Sequence, residues 1–217
     1  MSITHPAGVA RTANTAILIT NVGFSLTALA IFAGLAVYSS GRHDVTQNLI
    51  YGLSLLACSL CSFCYAIFRE ASFQRIIRHL DHSAIFLLIA GTYTPFAVFS
   101  PEKLWGVNIL YGVWGFALLG IALRLTIRHG YDRLFIGLYV LFGWLILATL
   151  PGVAHHIAMP SLALLVAGAA VYTIGAIIFA YDVGRWTDAL WHGCVLTAGC
   201  LHFFAVFVLS SGMQSQT

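Results

Sequence analysis

Long uncharged segments, separated by short groups of charged residues, dominate the chain. The segment between Arg11 and Arg42 carries no charge, and three similar segments follow it before residue 124. About 20 consecutive apolar residues are enough for a helix to cross the hydrocarbon core of a bilayer. Each of these segments therefore predicts one membrane-spanning helix.

The second half of the chain predicts three more spans. The uncharged segment between Arg133 and Asp182 is too long for one span, and Pro151 and Pro160 interrupt its middle, where they favour a turn. The last uncharged segment follows Asp188. No strand pattern, linker or internal repeat appears, so we expect residues 1–217 to form one domain. The seven predicted spans lie near residues 15–38, 49–68, 82–100, 104–123, 134–150, 161–181 and 189–210.

Composition supports a location in the membrane. Hydrophobic residues make up 60% of the chain and charged residues 8%, whereas soluble domains carry about 25% charged residues. We therefore predict an all-α integral membrane protein, a multi-pass bundle of seven transmembrane helices in the plasma (inner) membrane. We expect membrane lipids as partners. The net charge of +3 gives no reason to expect nucleic acid, and the sequence identifies no protein partner.

The positive charges predict the orientation of the bundle. Eight of the ten Lys and Arg residues lie on the side that holds the N-terminus, and the other two, Arg42 and Lys103, lie on the opposite side. Loops on the cytoplasmic side of membrane proteins carry the excess of positive charge. We therefore expect a cytoplasmic N-terminus and an external C-terminus.

Five polar residues lie near the predicted cytoplasmic ends of their helices: Ser62, Asp81, His82, Asp188 and His192. The spacing of four between Asp188 and His192 places both on one helical face. Carboxylates and imidazoles at the mouth of a bundle suit a hydrolytic metal site or a proton relay. Alternatively, Asp81 and Asp188 are hydrated residues at helix starts, which aspartate favours.

His202 belongs to a different depth of the membrane. It lies ten residues after His192, about 15 Å further along the helix, so the two cannot share a metal. One interpretation is a core histidine that hydrogen-bonds to another helix, and the other is a place along a polar pathway.

The segment Leu80–Phe96, LDHSAIFLLIAGTYTPF, resembles the start of the third helix in the hemolysin III branch of the progestin and adipoQ receptor (PAQR) superfamily. The resemblance implies a zinc ion held by three histidines, one on helix two and two on helix seven, with a serine and an aspartate beside it. Ser62, Asp81 and His192 match this pattern, and the family motif also has a histidine at His202. Ala66 and Asp188 stand where the other two zinc histidines would be.

Two of the three implied zinc ligands are thus replaced, so we expect purified protein to hold far less than one zinc ion per chain. The resemblance implies three competing functions. One is a metal-dependent lipid amide hydrolase with an altered Asp/His site. Another is the pore or cytolytic activity suggested by the family name, and the third is a role in membrane and lipid homeostasis without catalysis.

Overall fold

The computed structural model describes residues 6–38, 46–68, 72–99, 103–127, 131–149 and 157–214. Within these ranges the backbone forms seven helices and no strand, which confirms the predicted all-α fold. The turn predicted around Pro151 lies outside the described ranges. The helices are α1 (Pro6–Tyr38), α2 (Thr46–Ile67), α3 (Gln74–Val98), α4 (Lys103–Thr126), α5 (Asp132–Thr149), α6 (Met159–Tyr181) and α7 (Thr187–Gln214).

Five helices, α1, α2, α4, α6 and α7, are long and apolar enough to cross a membrane, judged by length and composition. Some helices extend past the predicted spans: α1 begins at Pro6 and α3 at Gln74, whereas their spans were predicted from residues 15 and 82. A helix can continue beyond the hydrocarbon core because its backbone hydrogen bonds are internal and its charged side chains reach water. That α3 and α5 also cross the membrane stays a prediction.

Helix α3 lies at the centre of the arrangement and packs against α2, α4, α5 and α7. Helix α1 packs against both α2 and α7, and α6 packs against α7 and α5. Gly91 brings α3 close to α2, because a Cβ atom at this position would collide with the side chain of Ser54. Small residues permit such close contacts between membrane helices.

Polar side chains also link α2 to α1 and to α7. Ser25 on α1 and Ser59 on α2 share a buried hydrogen bond of 2.7 Å between their hydroxyl oxygens. Asn48 Nδ2 on α2 donates to Ser210 Oγ on α7 at 2.8 Å. Buried polar groups require partners because unpaired ones are costly in an apolar environment, so these pairs determine which helix faces meet.

Helix α5 is joined to its neighbours through individual side chains. Tyr93 on α3 donates through its hydroxyl to the carbonyl oxygen of Phe142 at 3.0 Å. Trp144 Nε1 donates to Thr173 Oγ1 on α6 at 2.8 Å. These contacts border a cavity between the helices.

Candidate site in the interhelical cavity

A cavity of about 240 Å³ lies between α2, α3, α5, α6 and α7, and most of its lining is apolar. Asp81, His82, Asp188 and His192 all line it. They lie in the N-terminal halves of α3 and α7, and we call this part of the lining the carboxylate end. His202 also lines the cavity, about 15 Å further along α7 than His192. The fold therefore brings four of the ionisable residues singled out in the sequence to the lining of one cavity.

Asp81 and Ser62 are in direct contact. Ser62 Oγ on α2 donates to Asp81 Oδ1 on α3 at 2.5 Å, and both side chains are buried. A hydrogen bond to a carboxylate is short and strong because the acceptor is charged. This pair fixes the position of one carboxylate at the mouth of the cavity.

His82 follows Asp81 and is oriented by its own helix. Its Nδ1 donates to the carbonyl oxygen of Arg78 at 2.9 Å and lies 3.5 Å from Asp81 Oδ2. The hydroxyl of Tyr139, on α5, donates to the carbonyl oxygen of His82 at 2.9 Å. His82 therefore lines the carboxylate end and also connects α3 to α5.

His192 is buried on α7, and its Nδ1 donates to Asn14 Oδ1 on α1 at 2.7 Å. This hydrogen bond orients the ring, and in the neutral imidazole it leaves Nε2 as the acceptor nitrogen. Asp188, one turn earlier on the same helix, is half-buried and lines the cavity as well.

Ala66 lines the cavity at the place where the family resemblance puts a zinc histidine. Its methyl side chain offers no ligand atom. In the described part of the chain, no three His, Cys, Asp or Glu residues lie close enough together to hold a metal ion. The set of three histidines that the resemblance implies is therefore incomplete in this chain, and we assign no chemical step to a metal.

His202 hydrogen-bonds to a neighbouring helix. Its Nε2 donates to the carbonyl oxygen of Leu165, on α6, at 3.1 Å. Gly168 makes this position available, because a Cβ atom there would collide with the imidazole ring. The ring also lies against Tyr172, with 5.4 Å between the ring centroids.

An ion-pair network next to the cavity joins three helices. Asp132, the first residue of α5, accepts from Arg78 of α3 at 2.9 Å and from Arg124 of α4 at 2.8 Å. Burial raises the pKa of Asp132, but the hydrogen bond from Arg124 and the positive charges of Arg78 and Arg124 outweigh it and hold the pKa below its ordinary value. Arg124 is itself buried, with its guanidinium carbon 4.9 Å from the centre of the Phe135 ring.

Comparison with known proteins agrees with the resemblance seen in Leu80–Phe96. A family profile described as Haemolysin-III related matches residues 13–209. The chain belongs to this family. It is 31% identical over 182 residues to Hemolysin-3 of Bacillus cereus, covering 84% of this chain and 83% of that protein. It is also 31% identical over 182 residues to a Hemolysin-3 homolog of Bacillus subtilis (strain 168), covering 84% of each. No solved structure matches the chain.

Two parts of the site in this haemolysin-III related protein were not predicted from the sequence. Asn14 precedes the first predicted span, so it was not considered as a partner of His192. Asp132 lies between the predicted spans 104–123 and 134–150 and was not singled out. The same signal was available for both residues. Each is a polar side chain next to a long apolar segment, where an unpaired polar group is costly, so a partner could be expected for each.

Proposed function

We propose that the protein binds membrane lipid in the interhelical cavity and acts in the lipid homeostasis of its bilayer. The observation that carries this proposal is the cavity, which is mostly apolar along its length and polar at its carboxylate end. Ligand sites of proteins are typically apolar cavities with a few well-placed polar groups. This combination suits an amphiphile, whose hydrocarbon chain lies along the cavity and whose polar group lies near Asp81 and Asp188.

The test is binding of radiolabelled octadecanol, an uncharged amphiphile, to the full chain purified in detergent, with a variant whose cavity is filled as the comparison. Ala169 on α6 lines the cavity, so Ala169→Phe should occupy space that the hydrocarbon chain needs. Ala163, on an exposed face of the same helix, provides the matched control Ala163→Phe. We expect wild type and the control to bind octadecanol and Ala169→Phe to lose most of that binding.

Gel filtration of each variant shows whether it remains folded and monodisperse. If Ala169→Phe does not fold, the smaller change Ala169→Leu takes its place. Equal octadecanol binding by the control and by the folded cavity variant would contradict a chain site in the cavity, as would the absence of octadecanol binding in wild type.

A second candidate is hydrolysis of a lipid amide at the carboxylate end, favoured by the four ionisable residues that line it together. His192, with its proton on Nδ1, would act through Nε2 as the base that takes a proton from an attacking water molecule. Asp188, one turn away, would stabilise the resulting imidazolium, which would return its proton to the amide nitrogen as the C–N bond breaks and the amine leaves. The test is release of fatty acid from a fluorescent ceramide, which His192→Gln should abolish while leaving octadecanol binding intact.

Cytolysis is suggested by the names of the two Bacillus relatives. For this chain it is a proposal that release of haemoglobin from erythrocytes tests directly. The plasma membrane as location is likewise a proposal. So is the cytoplasmic N-terminus, which the distribution of Lys and Arg supports.

A further inference from the structure

A second, polar recess opens beside the carboxylate end of the cavity. It lies between the first turns of α1, the end of α6 and the turn that leads into α7, and it measures about 530 Å³. We call it the polar crevice. Its charged and amide-bearing residues are Arg11, Asn14, Asp182, Arg185 and Asp188.

The polar crevice lies next to the apolar cavity. Asp188 and Phe179 line both, and Asn14, in the crevice, accepts a hydrogen bond from His192, in the cavity. A molecule that occupies both would place its polar group in the crevice and its hydrocarbon chain in the cavity, on either side of Asp188 and Phe179.

The turn between α6 and α7 is ordered by its own hydrogen bonds. Asp182 has a left-handed backbone, with a φ of 47°, and its Oδ1 accepts from Gly184 N at 3.3 Å. The hydroxyl of Thr187 donates to the same oxygen at 2.9 Å. These contacts fix the Asp182 side chain in the wall of the crevice before any ligand arrives.

The charges of the crevice are balanced. Arg11 and Arg185 carry two positive charges, and Asp182 and Asp188 carry two negative charges. A guanidinium group pairs well with phosphate, whereas a carboxylate accepts hydrogen bonds from an ammonium group. A headgroup that is only anionic would meet two carboxylates, and one that is only cationic would meet two guanidinium groups.

We propose that the polar crevice binds the zwitterionic headgroup of a phospholipid, a phosphate with an attached amine, whose acyl chain occupies the apolar cavity. The two arginines donate hydrogen bonds to the phosphate, and the two carboxylates accept hydrogen bonds from the amine. This inference rests on the proposed function, since it names the headgroup of the lipid whose chain the cavity would hold.

The experiment compares two lysophospholipids with the same acyl chain, one with an ethanolamine headgroup and one with a glycerol headgroup, for binding to the full detergent-purified chain. We expect wild type to prefer the ethanolamine lipid by about fivefold, the contribution of one solvent-exposed ion pair at its upper end. Asp182→Arg should invert this preference. Arg185→Glu should weaken the binding of both lysolipids, because both carry the phosphate. If Asp182→Arg does not fold, Arg185→Glu alone tests the crevice.

The matched control is Arg133→Glu, which reverses the charge of an exposed arginine outside the crevice and should leave both affinities unchanged. Soluble phosphoethanolamine, which has the headgroup but no chain, should bind far more weakly than the lysolipid. Equal binding of phosphoethanolamine and lysolipid would overturn the lipid assignment in favour of a soluble phosphate ester.

Two further results separate this inference from the proposed function. If both lysolipids bind equally and the crevice variants change neither, the headgroup site is overturned while the chain site stands. If neither the lysolipids nor octadecanol bind wild type, the proposed function fails and this inference fails with it.

Discussion

Replacing Asp132 with asparagine should destabilise the bundle, because this one carboxylate pairs with two guanidinium groups at the junction of α3, α4 and α5. The side chain of Arg124 is only 5% exposed. Removing one partner of a buried ion pair typically costs about 3–5 kcal/mol, since the other charge stays buried without compensation.

The loss of unfolding free energy expected for Asp132→Asn is smaller than these values. The side chain of Asp132 is 39% exposed and that of Arg78 is 37% exposed, so water screens part of the interaction. Asparagine also keeps an oxygen that accepts one hydrogen bond. We therefore expect a loss of about 2 kcal/mol, which lowers Tm by about 4–8 °C for a chain of this length.

The assay is thermal unfolding of the full chain in detergent near neutral pH. Arg133→Gln, a change of one charge at the exposed neighbouring position, is the control and should leave Tm unchanged. Combining Asp132→Asn with Arg124→Met should recover part of the lost stability, because the uncompensated buried charge is then removed as well. An unchanged Tm in Asp132→Asn, or losses that simply add in the double variant, would refute a coupled ion pair.

The pH dependence of this difference gives an independent measurement. The pKa of Asp132 is lower in the folded chain than its ordinary value, so the ionised carboxylate stabilises the fold above the pKa of the unfolded chain. That contribution disappears as the pH falls through the folded-state pKa. The Tm difference between wild type and Asp132→Asn should therefore be full near pH 7 and shrink below about pH 4. A difference that stays constant down to lower pH would contradict this assignment.

Three other predictions concern the metal, the packing and the orientation. Wild type should hold far less than one zinc ion per chain by mass spectrometry, and combining Ala66→His with Asp188→His should raise zinc occupancy markedly; stoichiometric zinc in wild type would contradict this. Gly168→Ala should lower stability by about 1–3 kcal/mol because the new methyl group meets His202, whereas Gly193→Ala, where space is open, should not lower Tm. A reporter fused to the C-terminus should be active only outside the cytoplasm.

The sequence by itself determined the class of the protein and the seven helices found in the residues that the structure describes. Uncharged segments such as the one between Arg11 and Arg42 are long enough to cross a bilayer, and only a helix satisfies its backbone hydrogen bonds within one such segment. The match around Leu80–Phe96 also identified the family, and it singled out Ser62 and Asp81, which the structure joins by a hydrogen bond of 2.5 Å.

Only the tertiary structure decided which helix faces meet. In a soluble helix the apolar face marks the core, but a membrane helix is apolar towards lipid as well as towards its neighbours. The rotation of α1 that brings Asn14 to His192 is therefore not visible in the hydrophobic pattern. Nor is the approach of α3, α4 and α5 that gathers two arginines around Asp132. The cavity and the polar crevice depend on the same rotations, because each is lined by residues that lie far apart along the chain.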